Sequence, residues 1–449
     1  MQQKAYYIQF VSFCLLLTGI GLVSLLETKK SVSVDEKRKL TPLPGYNWPA
    51  LKHGTYTDSL ELYYADNFPW REHFLGTAFA LEHARGMKSE EVSFYSTEKK
   101  PGQKAPHLKQ EVQAKDSGDD ASLTAEVSKG LIIYNNMAMQ VFGGSEKMAK
   151  SCAKSINTFA AALPPEVRTY CMVAPTAGEF YIPQSYRKMA RSEKENIATI
   201  YANLNPGISP VDAISEMAEH TKEYLYFNTD HHWTALGAYY AYRATCEKMG
   251  IIPNEISAMP KKTIPGFLGS LYWLTRDPKL LERKDFVDYY QVPGQFTTRA
   301  YTKNNPNKPI TTSLLAGYAS GSNAYSVFLG GDYPLIQIKS NAESGRKLLI
   351  IKNSYGNPYA VFFVSHFDEV YVVDYRYYEK GVLPLIKEAG ITDVLIAYGS
   401  FSANTSWHIS RLQHIMYPKA GKSNPLVPKT PVKPKQSSSA ADSAQSATP

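Results

Sequence analysis

The feature that most constrains the fold is an alternation of short apolar strands with amphipathic helices after residue 129. Hydrophobic periodicity predicts strands at residues 130–134, 167–174, 224–227, 326–331, 335–338, 348–352, 370–374 and 394–397. Helices are predicted at residues 145–163, 234–248, from residue 358 onward, and at 383–389. Short apolar strands that alternate with helices are typical of α/β proteins. We therefore expect a mainly parallel sheet with helices on both faces, in which residues 130–174 form a β-α-β unit.

The N-terminal segment of residues 5–26 contains no charged side chain and is long enough to cross a bilayer as one helix. Lys4 stands nearly alone before it, and Glu27 follows it, a pattern that favours an uncleaved anchor over a cleaved signal peptide. Several basic residues come after the segment, and the positive-inside bias would hold that flank in the cytoplasm. Charge alone therefore leaves the topology open.

Composition divides the chain into five regions. Residues 1–30 are the predicted N-terminal start and transmembrane anchor, and residues 31–97 are a predicted juxtamembrane collar that includes an amphipathic helix at 55–74. Residues 98–128 are polar and charged, so we expect a flexible insertion. Residues 129–418 are the predicted catalytic domain, with irregular structure at 251–320, and residues 419–449 are a Lys/Pro/Ser tail that we expect to be disordered.

Charge and cysteine content exclude several classes of protein. The 449 residues carry a net charge of +8, but the tail holds five lysines against Asp442 alone, so the folded part is only mildly basic. No cluster of basic and aromatic residues supports nucleic-acid binding. Of the four cysteines, Cys14 lies in the apolar segment, which leaves three and permits one disulfide bond at most.

The first candidate for chemistry is the stretch from Asp230 to Thr234, DHHWT, between a predicted strand and a predicted helix. α/β sheets bind their ligands at such positions. In an extended backbone Asp230 and His232 project to one face, and a local turn would let the carboxylate reach the imidazole and fix its tautomer. Two structural histidines that cap a helix explain the stretch equally well. Metal ligation by Asp230, His231 and His232 is less favoured, because adjacent positions give poor ligand geometry.

The second candidate is Ser354, in a tight turn between a buried strand and a helix. The N–H groups of Ser354 and Tyr355 could bind an oxyanion, Gly356 permits a sharp turn and close approach of a substrate, and Asn357 is a candidate N-cap. Serines are common in such turns, so Ser354 alone would indicate a structural role. The predicted base at a strand end of the same sheet favours a nucleophile instead.

Two further groups of residues follow neighbouring strands. Asp374 and Arg376 are expected to pair with each other or with loop backbone, and a structural role is favoured over substrate binding. Gly331 could bring backbone N–H groups near Ser354 or belong to a hairpin turn. The oxyanion or substrate-binding candidates are therefore Tyr355, Gly356, Asn357, Gly331 and Arg376.

Three motifs in this order, TDHHWT, KNSYGNP and VVDYRYY, resemble the DHHW family of bacterial envelope proteins. EKRKL and YYADNFPWREHF resemble the N-terminal region of that family, so the likeness spans most of residues 36–400. The family is similar to the alginate O-acetylation proteins, whose SGNH-hydrolase-like domain has a permuted order with Asp-x-His before the serine. Asp230 and His232 match that pair, and Ser354 matches the nucleophile. Asn353 stands where the family typically has aspartate.

The resemblance implies an O-acetyltransferase or acetylesterase that acts on cell-envelope polysaccharide through an acetyl-serine. It also implies a single-pass cell-membrane protein with an extracytoplasmic domain and a membrane-bound O-acyltransferase that supplies acetyl groups. We expect no cofactor and no metal. The alternative is a non-catalytic protein that binds or assembles polysaccharide on the same fold, using tyrosines, of which there are 32, as a sugar platform.

Overall fold

The computed structural model describes residues 2–26, 32–33, 38–52, 55–71, 73–74, 77, 81, 92–96 and 128–419. Residues 98–127 of the predicted insertion and residues 420–449 of the predicted tail lie outside the described residues. The division of the chain into an anchor, a collar and a catalytic domain stays a prediction.

The described strands, in chain order, are β1 Val32–Ser33, β2 Arg38–Lys39, β3 Val92–Ser96, β4 Ser128–Tyr134, β5 Met137–Phe142, β6 Arg168–Ala174, β7 Ile208–Val211, β8 Lys261–Phe267, β9 Asp285–Tyr290, β10 Phe296–Tyr301, β11 Ile310–Thr312, β12 Leu335–Ser340, β13 Lys347–Lys352, β14 Glu369–Asp374 and β15 Asp393–Gly399. The described α-helices that we number are α1 Gln2–Leu26, α2 Trp48–Lys52, α3 Thr55–Asp66, α4 Glu146–Ala160, α5 Ala177–Tyr181, α6 Glu193–Ala202, α7 Ala213–Ala218, α8 Ala235–Met249, α9 Ser270–Thr275, α10 Gly356–Val361, α11 Val382–Ala389 and α12 Ser406–His414.

The N-terminal residues form helices and one short β-ladder. The predicted collar helix at 55–74 is confirmed over its first part as α3, which ends at Asp66. The Asp66 carboxylate accepts hydrogen bonds from the Thr41 N–H and hydroxyl at 2.9 and 2.7 Å. The anchor over residues 5–26 stays a prediction. Among the residues that the structure describes, no helix combines the length and apolarity needed to cross a membrane.

A central eight-stranded sheet with the order β11-β10-β12-β14-β13-β15-β6-β7 organises the molecule. The five strands β14, β13, β15, β6 and β7 are parallel to one another. On the other side of β14, the pairings of β12, β10 and β11 are antiparallel. The predicted α/β class is therefore confirmed, but the sheet is mixed, with its parallel strands confined to one half.

Both faces of this sheet are buried, as a parallel sheet requires. Leu348 and Ile350 of β13 belong to one apolar core, which contains most of α8, and the alternating residues Leu349 and Ile351 belong to a second core with α4, α11 and α12. The predicted helix cover on both faces is thus confirmed. The described cysteines form no disulfide bond, and burial raises the pKa of Cys171 to about 12.

The helices next to the site begin at side-chain caps. The Ser145 hydroxyl accepts a hydrogen bond from the Met148 N–H at α4, and the Thr234 hydroxyl accepts one from the Gly237 N–H at α8. Helix α8 ends at Gly250, whose φ of 64° lies in the left-handed region that glycine tolerates. These caps confirm both predicted helices to within a few residues.

Four predictions of local structure are wrong. Residues 130–134 form part of β4, but this strand pairs with β3 and β5 in a separate antiparallel sheet, so the β-α-β unit does not exist. Residues 224–227 form a single bridge between Tyr226 and Trp233. Residues 326–331 continue a 3₁₀ helix into a turn with positive φ at three consecutive positions. Residues 251–320 contain β8 to β11.

Candidate active site

The DHHW segment lies in a tight loop that directs its side chains toward the carboxyl ends of the parallel strands. The Tyr226–Trp233 bridge and a 2.8 Å hydrogen bond from the Thr234 N–H to the Leu225 carbonyl close the loop. The backbone bends between these anchors, and this bend is the local turn that lets Asp230 reach His232.

Asp285 fixes the residues just before this segment. Its carboxylate is buried and accepts hydrogen bonds from the backbone N–H groups of Asn228 and Thr229 at 2.8 and 2.7 Å. The side chains of Asn228, Thr229 and Tyr224 donate to the same carboxylate. Burial raises the pKa of Asp285, although the donated hydrogen bonds oppose this change. One carboxylate of β9 thus fixes the residues that lead into the DHHW loop.

Asp230, His232 and Ser354 form a continuous hydrogen-bonded chain. The Asp230 Oδ1 atom lies 2.6 Å from His232 Nδ1, and His232 Nε2 lies 2.8 Å from Ser354 Oγ. Asp230 Oδ1 also accepts the His232 N–H at 3.0 Å, and Asp230 Oδ2 accepts the Ser270 N–H at 2.7 Å. All three side chains are buried. The arrangement therefore holds the imidazole between a carboxylate and a hydroxyl, as the sequence predicted.

Three aromatic side chains join the DHHW loop to the loop of Ser354. Trp233 is fully buried and its Nε1–H donates to the Tyr355 carbonyl at 2.8 Å, while the Tyr355 hydroxyl donates to the His231 carbonyl. Tyr325 stacks on His232 with ring centroids 4.2 Å apart, and its hydroxyl donates to the Ser354 carbonyl at 2.9 Å. These contacts keep the imidazole and hydroxyl aligned.

The glycine at 356 is required by packing. A Cβ atom there would lie 2.4 Å from Cβ of Lys352, so the turn after β13 closes only without a side chain. The Gly356 N–H donates to the Asn353 carbonyl at 2.9 Å, and the Asn357 N–H donates to the Ser354 carbonyl at 3.1 Å. These two amides therefore stabilise the turn itself.

Gly331 and Arg376 belong to the segments that surround the turn after β13. Gly331 has a φ of 110°, and its N–H donates to the Phe328 carbonyl within the turn at 3.2 Å. Arg376 donates to Asp374 at 2.7 Å and to Asp332 at 2.8 Å, in agreement with the expected pairing of Arg376 with Asp374. The oxyanion and substrate roles of all five candidates stay predictions.

A buried ionic cluster lies beneath the Ser354 turn. The fully buried Lys352 ammonium lies 2.9 Å from Asp374 and 3.2 Å from Asp332, and Asp332 also accepts the Asn357 side-chain amide at 2.9 Å. Burial would raise the pKa of Asp332, but the charges of Arg376 and Lys352 outweigh it and lower the pKa. Two cations thus balance two carboxylates, which anchors the turn to β14.

The metal alternative involves the same groups. Ligand atoms of Asp230, His231 and His232 lie within 4.8 Å of one another. Both ring nitrogens of His232 are already engaged by Asp230 and Ser354, and Nδ1 of His231 lies 2.6 Å from the Ser270 hydroxyl. This geometry serves proton transfer better than metal ligation.

A small pocket of about 10 Å³, which is room for about one water molecule, lies among the residues that follow β6, β13 and β15. Its lining includes His231, Tyr355, Thr176, Ser400, Asn353 and Phe401. Beneath it lies Glu193, whose carboxylate accepts hydrogen bonds from Thr176 and Ser400. Burial raises the pKa of Glu193 to about 7, although these hydrogen bonds oppose the change.

Sequence reasoning missed Asp285, Lys352, Glu193 and Tyr325. Only Lys352 gave a signal, since a lysine at the end of an apolar strand and next to the candidate nucleophile requires a partner if it is buried. The other three lie far from the motifs in the chain, so their spacing carries no information about the site.

The comparison with protein families matches the model of the DHHW protein family over residues 87–373, which is more than half of the chain and includes both site loops. The chain belongs to the DHHW family. A solved DHHW family protein from Eubacterium siraeum is 33% identical, with a TM-score of 0.60, and the match covers 65% of this chain and 96% of the other. No curated protein matches the chain.

Bacillus cereus PatB1, solved with a sulfonyl adduct, is 18% identical to this DHHW protein, with a TM-score of 0.52. The match covers 62% of this chain and 97% of PatB1. At this identity the likeness shows a shared fold. The O-acetyltransferase domain of Pseudomonas putida AlgJ is 12% identical over 60% of this chain and 88% of its own, with a TM-score of 0.32.

Proposed function

We propose that this DHHW protein is an O-acetyltransferase or acetylesterase that acts on cell-envelope polysaccharide through an acetyl-serine at Ser354. The observation that carries the proposal is the hydrogen-bonded chain from Asp230 through His232 to Ser354, with distances of 2.6 and 2.8 Å. A carboxylate, an imidazole and a hydroxyl in this order are the parts of a serine nucleophile with its general base.

In the first half-reaction, the Ser354 oxygen attacks the acetyl carbonyl of the donor ester, and His232 Nε2 takes the hydroxyl proton. The bond between the Ser354 oxygen and the acetyl carbon forms, the ester C–O bond of the donor breaks, and His232 gives the proton to the departing alcohol. In the second half-reaction the oxygen of a sugar hydroxyl or water forms a bond to the acetyl carbon and gives its proton to His232. The bond between the acetyl carbon and the Ser354 oxygen breaks, and the proton passes from His232 to Ser354. General-base assistance of this kind contributes about 10² to 10⁴ in rate.

Asp230 supports this cycle from the far side of the ring. Its carboxylate accepts a hydrogen bond at Nδ1 of His232, which leaves Nε2 as the proton acceptor and stabilises the imidazolium that forms transiently. The Ser270 N–H and the His232 N–H hold that carboxylate in place. Asp230 would thus supply the orienting charge, although Asn353 stands where the family typically has aspartate.

The SGNH-hydrolase-like assignment, the location and the partners are part of the proposal. We assign the chain to the cell membrane as a single-pass protein with an extracytoplasmic catalytic domain. A membrane-bound O-acyltransferase would supply the acetyl group, and an envelope polysaccharide would receive it.

The test is hydrolysis of a chromogenic acetate ester by the full chain, followed by labelling with an aromatic sulfonyl fluoride and mapping of the adduct by mass spectrometry. Ser354→Ala should lose turnover and labelling while it keeps the wild-type circular dichroism spectrum. Ser410→Ala is the matched control, because Ser410 is an exposed serine on α12.

Equal turnover by wild type and Ser354→Ala would refute the mechanism. Binding of unmodified polysaccharide by both proteins, with no acetyl release by either, would favour the non-catalytic binding protein. An adduct at Ser354 together with acetyl release would exclude that alternative.

A further inference from the structure

Tyr325 contacts both members of the pair on which the proposed function depends. Its ring stacks on the ring of His232, with centroids 4.2 Å apart and planes 15° apart, and its hydroxyl donates to the Ser354 carbonyl at 2.9 Å. Tyr325 is 6% exposed and His232 is 5% exposed, so the two stacked rings are largely shielded from water. One side chain therefore fixes the position of the imidazole relative to the backbone of the serine.

The surroundings of Tyr325 keep its ring in this orientation. The residue belongs to the 3₁₀ helix Gly321–Val327. Its ring makes T-shaped contacts with Phe227 and Phe328, at centroid distances of 6.1 and 5.5 Å. Both phenylalanines are buried. Because the ring is packed against buried side chains, its position over His232 is built into the fold.

An aromatic ring in this position favours the protonated form of His232. The face of such a ring carries partial negative charge and attracts a cation that lies within about 6 Å of its centroid. The separation of 4.2 Å places the imidazole well inside that distance. The attraction is stronger where both groups are desolvated. The Tyr325 ring therefore adds to the stabilisation that the Asp230 carboxylate gives through Nδ1.

Asp230, His231 and Tyr355 also face this imidazole. Asp230 Oδ1 lies 2.6 Å from Nδ1 of His232, and the ring centroids of His231 and Tyr355 lie 3.8 and 5.1 Å from that of His232. The Asp230 carboxylate favours protonation of His232, whereas a charge on His231 would oppose it. All three side chains remain when Tyr325 alone is replaced, so a comparison of Tyr325 variants isolates the effect of its ring.

We infer that Tyr325 is a positioning residue of this site, whose ring face stabilises the protonated imidazole of His232 while its hydroxyl holds the Ser354 carbonyl. The consequence for turnover rests on the proposed function, in which His232 carries the serine proton. The effect on the protonation of His232 does not require that reaction.

The experiment is an NMR titration of the full chain labelled with ¹³C-histidine, in which the His232 signal is assigned by its loss in His232→Gln. Tyr325→Leu removes a ring that favours the charged form, so the midpoint of the His232 titration should move to lower pH by about 0.4–1.5 units. Tyr325→Phe keeps the ring and should stay within about 0.2 units of wild type. The Ser354 carbonyl retains the Asn357 N–H as a donor in both variants.

Tyr318→Leu is the matched control, because the same replacement is made at a side chain that is 80% exposed, and it should leave the midpoint unchanged. If Tyr325→Leu fails to fold by circular dichroism, Tyr325→Met takes its place, since methionine fills irregular space without an aromatic face.

Chromogenic acetate hydrolysis on the same proteins connects this contact to turnover. At the plateau of the pH profile, Tyr325→Leu should be about 2- to 30-fold slower than wild type. The acidic limb of its profile should move to lower pH together with the NMR midpoint. A purely structural role of Tyr325 would slow turnover without moving either quantity.

An unchanged midpoint in the folded variant without the ring would overturn the inference, as would an equal shift in Tyr325→Phe. A shift confined to the variant without the ring, with no ester hydrolysis and no sulfonyl labelling of Ser354 in any of the proteins, would support the inference and refute the proposed function. Turnover that depends on Ser354, together with an unmoved midpoint, would refute the inference alone.

Discussion

Replacement of Glu193 by glutamine should remove a pH dependence from the stability of the protein. Glu193 is 1% exposed, and burial is the largest of the effects that raise its pKa from 4.5 to about 7. The folded state therefore holds this proton more tightly than the unfolded chain. Stability from this group is fully present below pH 4.5 and is lost as the pH rises through about 7.

The size of the effect follows from the two pKa values. One pKa unit corresponds to about 1.36 kcal/mol, so the difference between 4.5 and about 7 corresponds to roughly 3 kcal/mol. Glutamine is isosteric and keeps an acceptor for the Thr176 N–H. The free energy of unfolding of wild type minus that of Glu193→Gln should therefore fall by roughly 3 kcal/mol between pH 4.5 and pH 8.

Urea unfolding followed by circular dichroism at several pH values measures this difference, and all other titrating groups cancel in the subtraction. Glu195→Gln, at an exposed glutamate on the same helix, is the control and should give a difference that is constant with pH. A constant difference for Glu193→Gln as well would show that the buried carboxyl does not hold its proton, and would refute the reasoning.

Three further substitutions test the supports of the site. Trp233→Phe removes the donor to the Tyr355 carbonyl and should lower the free energy of unfolding in urea by about 1–3 kcal/mol. Lys352→Met leaves the Asp374 and Asp332 carboxylates with Arg376 but without the Lys352 ammonium, and should cost about 3–5 kcal/mol in the same measurement. Gly269→Ala would place a Cβ atom 2.2 Å from Cβ of Asp230, so acetate-ester turnover should fall at least ten-fold.

Matched controls exist for two of these variants. Gly207→Ala adds a methyl group in open space and should keep wild-type turnover. Lys347→Met removes a partly exposed lysine from the same strand as Lys352 and should cost less than about 1 kcal/mol. Equal turnover by Gly207→Ala and Gly269→Ala would refute the role of the close approach at Asp230. Equal free energies of unfolding for Lys347→Met and Lys352→Met would refute the role of the buried ion pair.

The sequence predicted the meeting of Asp230, His232 and Ser354 because each lies where local turn chemistry follows an apolar segment. Parallel strands bring their carboxyl ends to one edge of a sheet, which places Ser354 after β13. Residues 224–227 are not a strand of that sheet, so the rule does not account for the position of Asp230 and His232. Lys352 and Asp374 follow the same rule, since both end neighbouring parallel strands. These features depend on local pattern and on one rule of topology.

Other features depend on tertiary pairing, which a short apolar run does not specify. Residues 130–134 read as a core strand, yet their partners are β3 and β5, because apolar periodicity predicts a strand without identifying its neighbours. Residues 326–331 read as a strand although Leu329 has a φ of 61°, a conformation that its side chain does not signal. Asp285 and Glu193 are isolated carboxylates in the sequence, and only the folded chain brings them to the site.

His232 and Ser354 are 122 positions apart in the chain, and this separation has a consequence for folding kinetics. Contacts of high sequence separation form late, because loop-closure entropy must be overcome before they contribute energy. Ser354 therefore acquires its hydrogen bond with His232 only after β13 and α8 have docked. Reaction of Ser354 with a sulfonyl fluoride during refolding should lag behind the return of helical circular dichroism. The time course of this labelling would therefore report when the native state is complete.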